Sequence, residues 1–496
     1  MRPIQTLSVL VLFVTLFLIF FYSTLHLETT NSRRARAEDL LKEPGLLKDP
    51  GLLKDPGLLK DPGLLKDPGL LKDPGLLKDP GLLKEPGLLK DPGLLKDPGL
   101  LKDPGLLKDP GLLKDPGLQV HDRVVKTQPS KQERFIFPPP VVLNVSDGLR
   151  QAIPQNEAYW NRLLYSALKN QDKGGHSFGH DSDWSLCRQT NKDNLQTNVH
   201  DFSSYPVLFQ DFLQGMNCRS PPVLYNQPNK CISAEGKEDN QTFLLFTIKS
   251  SPRNFEQRQA VRETWGREAV YQDALRVHTV FLLGSSPLED PDLSSLLSFE
   301  ARHFGDLLQW DFHESLLNLT LKMNMFLQWT VKHCPTASFV FSGDDDVFVN
   351  TPTLVSYLQS LESWKASQLY VGHVISSASP LRDPKNKYYI PLSFYDGPYP
   401  AYAGGGGFII SGALLQRFYS ASHVIPFFPI DDVYAGMCFK ALGISPEANA
   451  EFQTFDIVEK NRENLCVNKK LILIHRRSPQ QIKKLWKGIH NPVLTC

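Results

Sequence analysis

The sequence predicts an α/β fold: a mostly parallel sheet flanked by helices, preceded by a membrane anchor and a low-complexity stem. Three observations carry this expectation. From Thr242 onward, short apolar runs alternate with helical periodicities, the order of a doubly wound sheet. An uncharged apolar run lies close to the amino terminus, and a hexapeptide repeat separates it from an aromatic-rich remainder.

The chain has 496 residues, long enough for two or three domains, and 54 basic against 53 acidic residues leave a net charge of +1. Nothing in that balance points to nucleic acid. Residues 1–5 form a short tail, and Thr6–Leu25 (TLSVLVLFVTLFLIFFYSTL) is uncharged over a length that crosses about 30 Å of hydrocarbon. It is too long for a cleaved signal and no small-x-small site follows it closely, so it reads as an uncleaved anchor. Arg2 precedes the run while Arg33, Arg34 and Arg36 follow it, so the positive-inside rule taken alone leans toward a cytoplasmic body. The sequons at Asn144, Asn240 and Asn318 and all seven cysteines lie downstream, and both favour a lumenal one. Cys187, Cys218, Cys231, Cys334, Cys438, Cys466 and Cys496 contain no CxxC, which argues for disulfides over zinc. Their odd number leaves at least one free or paired between chains.

Residues 26–150 read as a stem. Within it, Leu40–Gly117 is thirteen copies of LLK(D/E)PG. Proline every six residues forbids a continuous helix, and the leucine pairs are too sparse to offset the entropy of ordering a core. A flexible stem is the simplest expectation; a solenoid of hexapeptide turns would lose a ladder donor at every Pro-Gly. Extended near polyproline II, the repeat would reach roughly 240 Å at about 3.1 Å per residue. His121 to Val142, with Pro138-Pro139-Pro140, continues as linker.

The globular part is expected as a subregion at 151–241 followed by a catalytic-sized domain at 242–496. NEAYWNRLLYSAL is a plausible helix, whereas Asp172 to Pro228 is polar, Asn-rich and without an assignable fold. Phe243–Ser250 predicts a buried strand, Asn254–Gly266 a helix ended by glycine, Val277–Gly284 and Asp306–Phe312 two further strands, and Asn318–Cys334 a long amphipathic helix.

Ser338–Thr351 (SFVFSGDDDVFVNT) is the centre of the chain. An apolar strand-like run stops at Gly343 and releases Asp344, Asp345 and Asp346 at its carboxyl end, where open α/β sheets bind ligands. Adjacent carboxylates repel unless a cation holds them, and oxygen-only clusters favour Mg²⁺ or Mn²⁺. A bare triple Asp is more often a solvated turn; the apolar flanks Phe341 and Val347–Val349 argue here for a metal-diphosphate site. Downstream, Leu369–Ile375 predicts another strand. Gly404–Gly407 reads as a flexible turn or as backbone brought close to a ligand. Asp431 and Asp432 read as N-cap and first-turn acids of a helix Val433–Leu442, and His475 ends an apolar run where a lone histidine is commonly structural.

Taken together, IKSSPRNFEQRQAVRETWG, QWDFHESLLNLTLK, FVFSGDDDVFVNT, YPAYAGGGGFIISG and FPIDDVYAGMC resemble the β-1,3-glycosyltransferase family that builds Golgi glycans. EAYWNR, KYYIP and TFDIVEKNRENLC add likeness to its poly-N-acetyllactosamine-extending β-1,3-N-acetylglucosaminyltransferases, and the match runs from about Asn156 to Cys496. The hexapeptide stem is outside the family pattern. The resemblance implies a type II Golgi membrane enzyme of GT-A-like (Rossmann-like) fold that uses UDP-GlcNAc and Mn²⁺ or Mg²⁺. It would glycosylate galactose-terminated glycans of glycoproteins or glycolipids with inversion, and a homodimer is compatible with it. It casts Asp346, with Asp344 and His475, as metal ligands, and Asp344 or Asp345 as facing the ribose or metal waters. It casts Asp432, over Asp431, as the base, with Lys249, Arg258, Arg262, Gly405 and Gly406 on the donor and Trp265 packing. The sibling reading is a β-1,3-galactosyltransferase using UDP-galactose. A DxD-type phosphotransferase would need DxDxT, and Val347-Phe348 follows the acids here. A non-catalytic binding module would not need the full set of acids.

Overall fold

TFLLFTIK offers apolar side chains to both faces, and a strand can bury both only at the middle of a sheet covered by helices on either side. The computed structural model, which describes residues 143–174, 183–232, 241–271, 274–285 and 290–496, places it there. The expected anchor Thr6–Leu25, the repeat Leu40–Gly117 and Asn240 lie outside the described residues. Among the described residues no helix is long and apolar enough to cross a membrane.

The strands are β1 (Val223–Tyr225), β2 (Thr242–Lys249), β3 (Ala269–Val270), β4 (Arg276–Ser285), β5 (Leu307–His313) and β6 (Phe339–Asp344). They continue with β7 (Phe348–Val349), β8 (Tyr370–Ile375), β9 (Tyr402–Ser411), β10 (Glu447–Ala448), β11 (Phe452–Gln453) and β12 (Leu473–Ile474). The main sheet runs β1-β5-β4-β2-β6-β9-β8-β10, with β3 paired to β4. Its centre, β5-β4-β2-β6, is parallel as expected. The rest corrects the mostly parallel expectation. β9 runs antiparallel to both β6 and β8, and β1 and β3 are antiparallel to β5 and β4, so the sheet is mixed. The reason is the connection from β8 to β9: residues 376–401 hold no helix, and a parallel neighbour needs a crossover.

Alternation along β2 and β6 divides the core. Leu245 and Val340 point to the face covered by helices Leu319–His333, Leu415–Val424 and Asp431–Ala441. Leu244, Phe246, Ile248, Phe339 and Phe341 point to the face covered by Phe255–Glu263, Thr351–Gln359 and Pro479–Ile489. Trp265 packs edge-on to Phe246 and Phe341 at centroid distances of 5.2 and 5.9 Å and is fully buried, as its packing reading requires.

The 151–241 segment shares this core rather than forming its own. Trp160 is fully buried, donating Nε1 to the carbonyls of Pro426 and Phe427 at 3.2 and 3.0 Å. The helix Asp147–Ala152 straddles the stem boundary expected at 150, and Leu149 is fully buried. The unassigned stretch contains helices Trp184–Asn198 and Val207–Gly215, the first capped by Asp183, which accepts from the amides of Ser185 and Leu186. Its polar composition hid them. A Cys187–Cys218 disulfide staples the pair, with Cys231–Cys334 and Cys466–Cys496 elsewhere. Cys438 is free and buried, which accounts for the odd count.

Asn318 is 4% exposed, and its Nδ2 donates to Asp211 Oδ2 at 3.2 Å and the His313 carbonyl at 2.9 Å, so a glycan on that nitrogen would cost one of these bonds, which argues against the expected modification there. Asn144 is exposed.

Candidate active site

The site gathers at the carboxyl ends of β2 and β6. β6 ends on Asp344, and a turn carries Asp345 and Asp346 into β7. A second small sheet then brings in the far end of the chain. β12 pairs antiparallel with β7, with Ile474 opposite Phe348 and Leu473 opposite Val349, so the residues after Ile474 emerge beside Asp346. His475 Nε2 lies 3.2 Å from Asp346 Oδ1 and 3.8 Å from Asp344 Oδ2.

These three side chains offer ligand atoms within 4.8 Å of one another. His475 Nδ1 donates to the Thr454 carbonyl at 2.8 Å, which fixes the ring and leaves Nε2 to face the acids. Burial would lower His475, but its bond to Asp346 and the charges of Asp346 and Asp344 hold it up. Burial would raise Asp346, yet the bond to His475, that ring's charge and the nearby Arg476 keep it below the usual range. Asp344 is raised, chiefly by burial. Two carboxylates and one oriented imidazole fit a hard or borderline divalent cation such as Mn²⁺ or Mg²⁺, which would displace the proton that His475 otherwise holds.

Asp345 stands apart from that group. It is 7% exposed, its Oδ2 accepts from Asn254 Nδ2 at 2.9 Å, and burial outweighs its hydrogen bonds to push it to about 6.

The second acid pair lies at the start of helix Asp431–Ala441, where both carboxylates occupy the first turn and Ile430 is the N-cap. The first-turn reading holds and the N-cap one does not. Asp432 Oδ2 accepts from the Gly405 amide at 2.9 Å, and burial, followed by the charge of Asp431, pushes Asp432 up to about 7. Lys249, at the end of β2, joins the two clusters. Its Nζ lies 2.8 Å from Asp431 Oδ2 and 3.0 Å from Asp344 Oδ1, and it donates to the Gly405 carbonyl at 3.3 Å. Burial disfavours its charge, but Asp344 and Asp431 outweigh that and hold it protonated.

The glycine run is strand, not turn. A Cβ on Gly406 would meet His475 Nδ1 at 2.8 Å, one on Gly405 would meet Asp432 Oδ2 at 3.2 Å, and one on Gly404 would meet Thr454 Cγ2 at 2.7 Å. The missing side chains let Asp432 and His475 pack onto β9.

Arg258 and Arg262 depart from the donor-facing role the resemblance gave them. Arg258 is fully buried with every N–H occupied: Nε and Nη2 donate to Glu300, Nη1 to Ser250 Oγ and the Ser251 carbonyl, and Nη2 to the Pro252 carbonyl. It shapes the loop after β2 and has nothing left for a nucleotide. Arg262 is held bidentately by Asp306 at 2.7 and 2.9 Å and also pairs with Glu300.

The family described as galactosyltransferase matches residues 256–450. N-acetyllactosaminide beta-1,3-N-acetylglucosaminyltransferase 2 of Mus musculus is 44% identical over 351 residues, covering 68% of this chain and 86% of the relative. The Homo sapiens protein of the same name is 43% identical over 354 residues, with the same coverage. UDP-GlcNAc:betaGal beta-1,3-N-acetylglucosaminyltransferase 8 of Homo sapiens is 38% identical over 359 residues, covering 72% of this chain and 87% of its own. This chain belongs to the galactosyltransferase family.

Within a galactosyltransferase-family site, three residues escaped sequence reasoning. Thr454 acts through a carbonyl, which any side chain could supply, so no signal marks it. Asn254 lies within a recognised block and Glu300 between two of them, but nothing local pairs Asn254 with Asp345 or Glu300 with Arg258.

Proposed function

We propose that this chain is an inverting hexosyltransferase of the GT-A type. It moves N-acetylglucosamine from UDP-GlcNAc to the 3-hydroxyl of a terminal β-galactose, extending poly-N-acetyllactosamine on glycoproteins or glycolipids. The observation that carries the reading is the tie through Lys249. It sets a cation-binding trio, Asp344, Asp346 and His475, beside a buried carboxylate, Asp432, whose affinity for a proton is matched to neutral pH. The choice of N-acetylglucosamine over galactose follows the names of the relatives.

When bound, Mn²⁺ or Mg²⁺ on Asp344, Asp346 and His475 would supply Lewis-acid stabilisation to the departing diphosphate. Asp432 accepts the proton of the acceptor 3-hydroxyl. The freed oxygen attacks the anomeric carbon from the face opposite the nucleotide, the bond to the β-phosphate oxygen breaks, and its electron pair leaves with UDP. One in-line displacement inverts the α-linked donor to a β-1,3 product. Gly405 holds Asp432 in place by its amide, and Lys249 occupies Asp431 with an ion pair, so that Asp432 is the member of the pair left to act as base.

The three disulfides support a lumenal, oxidising location, and the Golgi membrane with type II topology is the compartment this reading assigns. The test is a radiolabelled-donor screen of the full chain in detergent against N-acetyllactosamine, lactose and mucin-core acceptors, with linkage analysis. Incorporation from UDP-GlcNAc at the 3-position is expected; incorporation only from UDP-galactose would overturn the assignment.

A further inference from the structure

The last strand delivers more than His475. The next residue, Arg476, has φ 61°, a left-handed backbone uncommon for any residue that carries a Cβ. Its neighbours hold it there. His475 is fixed by its amide to the Gln453 carbonyl, by Nδ1 to the Thr454 carbonyl and by Nε2 against Asp346. Arg477 is 4% exposed, ion-paired to Asp456 at 2.6 Å, and its amide donates to the Asp346 carbonyl at 2.7 Å. Arg476 therefore sits between two residues that both touch Asp346.

Such a conformation costs on the order of 1 kcal/mol and persists only where the surroundings impose it, commonly at ligand clamps. The other cations around the site are occupied: Lys249 by Asp344 and Asp431, Arg258 by Glu300, Arg262 by Asp306, Arg477 by Asp456. Arg476 is exposed, its charge is felt by Asp346, and among the described residues it is in none of the close ion pairs that occupy the others. A nucleoside diphosphate leaving from the metal trio carries about three negative charges, more than one divalent ion neutralises. A planar guanidinium can take two phosphate oxygens at once.

We propose that Arg476 binds the diphosphate of the donor, completing with the metal trio a two-cation clamp for the leaving group. The inference rests on the uridine-diphosphate donor of the proposed function. The left-handed backbone leaves this residue exposed beside Asp346, whose carboxylate feels its charge, while its neighbours stay locked.

The experiment is calorimetric titration of UDP into the full chain with saturating Mn²⁺, for wild type, Arg476→Ala, Arg476→Lys and Arg476→Gly, alongside thermal melts. Arg476→Ala is expected to weaken UDP by about 10- to 100-fold, the usual worth of a charge-assisted pair, with Arg476→Lys between it and wild type. Arg476→Gly relieves the left-handed backbone, so it should melt at or above the wild-type temperature while binding UDP as weakly as Arg476→Ala. That combination separates a ligand role from a structural one. Wild-type UDP affinity in both Arg476→Gly and Arg476→Ala overturns the clamp; failure of the wild type itself to bind UDP overturns the donor reading instead.

Discussion

Lys249 Nζ donates to Asp431 Oδ2 at 2.8 Å, and this bond, made by residues 182 apart, joins the parallel centre of the sheet to the helix that carries Asp432. The same ammonium faces Asp344, so one buried cation stabilises acids of both clusters. Lys249→Met should leave two carboxylates without it and lower stability by about 3 kcal/mol, as for a broken buried pair. Added Mn²⁺ should return part of the lost melting temperature, because Asp344 regains a cation. A melt unchanged from wild type in the absence of metal would show that the tie contributes nothing.

Asp432→Asn keeps the shape of the carboxylate but cannot accept the acceptor proton. The expected fall in kcat is about 10² to 10⁴-fold, with UDP and Mn²⁺ affinities near wild type because the loss appears only as the acceptor attacks. Asp346→Ala should instead weaken Mn²⁺ and UDP together. Full activity in Asp432→Asn with a dead Asp431→Asn would move the base to the other member of the pair.

The pH profile follows from the same carboxylate. A base works deprotonated, so with Asp432 pushed up to about 7, kcat should be low at acid pH and rise through neutrality to a plateau. Asp431→Asn removes the neighbouring negative charge that helps raise Asp432, so the rise should move to lower pH. A profile measured on both forms decides this; a limb unmoved by the substitution assigns it to another group.

Gly406→Ala places a methyl 2.8 Å from His475 Nδ1 and 2.9 Å from its Cγ, closer than the ring can tolerate without turning. The turn breaks the alignment set by the Thr454 carbonyl. Mn²⁺ affinity should fall by about 10- to 100-fold, the usual cost of disturbing a ligand's outer support. Calorimetry with Mn²⁺ alone reads it.

Asn318→Gln is expected to leave the electrophoretic mass shift on glycosidase treatment unchanged, because the fold buries that amide, while lowering the melting temperature through its lost bonds to Asp211 and His313. A smaller glycosidase shift in the variant would show that the site is modified after all.

The sequence by itself determined the parallel centre of the sheet, the helix Leu319–His333, the acids ending β6, the first-turn acids at Asp431 and Asp432, and the packing of Trp265. Each follows from side-chain periodicity or from a strand terminus within a few residues, which is where local physics acts. Tertiary structure alone decided that β9 is an antiparallel strand, that Cys438 is the unpaired thiol, and that Arg258 and Arg262 serve Glu300 and Asp306. It also decided that His475 meets Asp346 across more than a hundred residues. That meeting depends on the register of β12 on β7, which seats Ile474 opposite Phe348, and a slip of one residue would turn every side chain of the ladder to the other face. Register is fixed by which faces can be buried together, so it is a property of the assembled core and cannot be read from either segment alone.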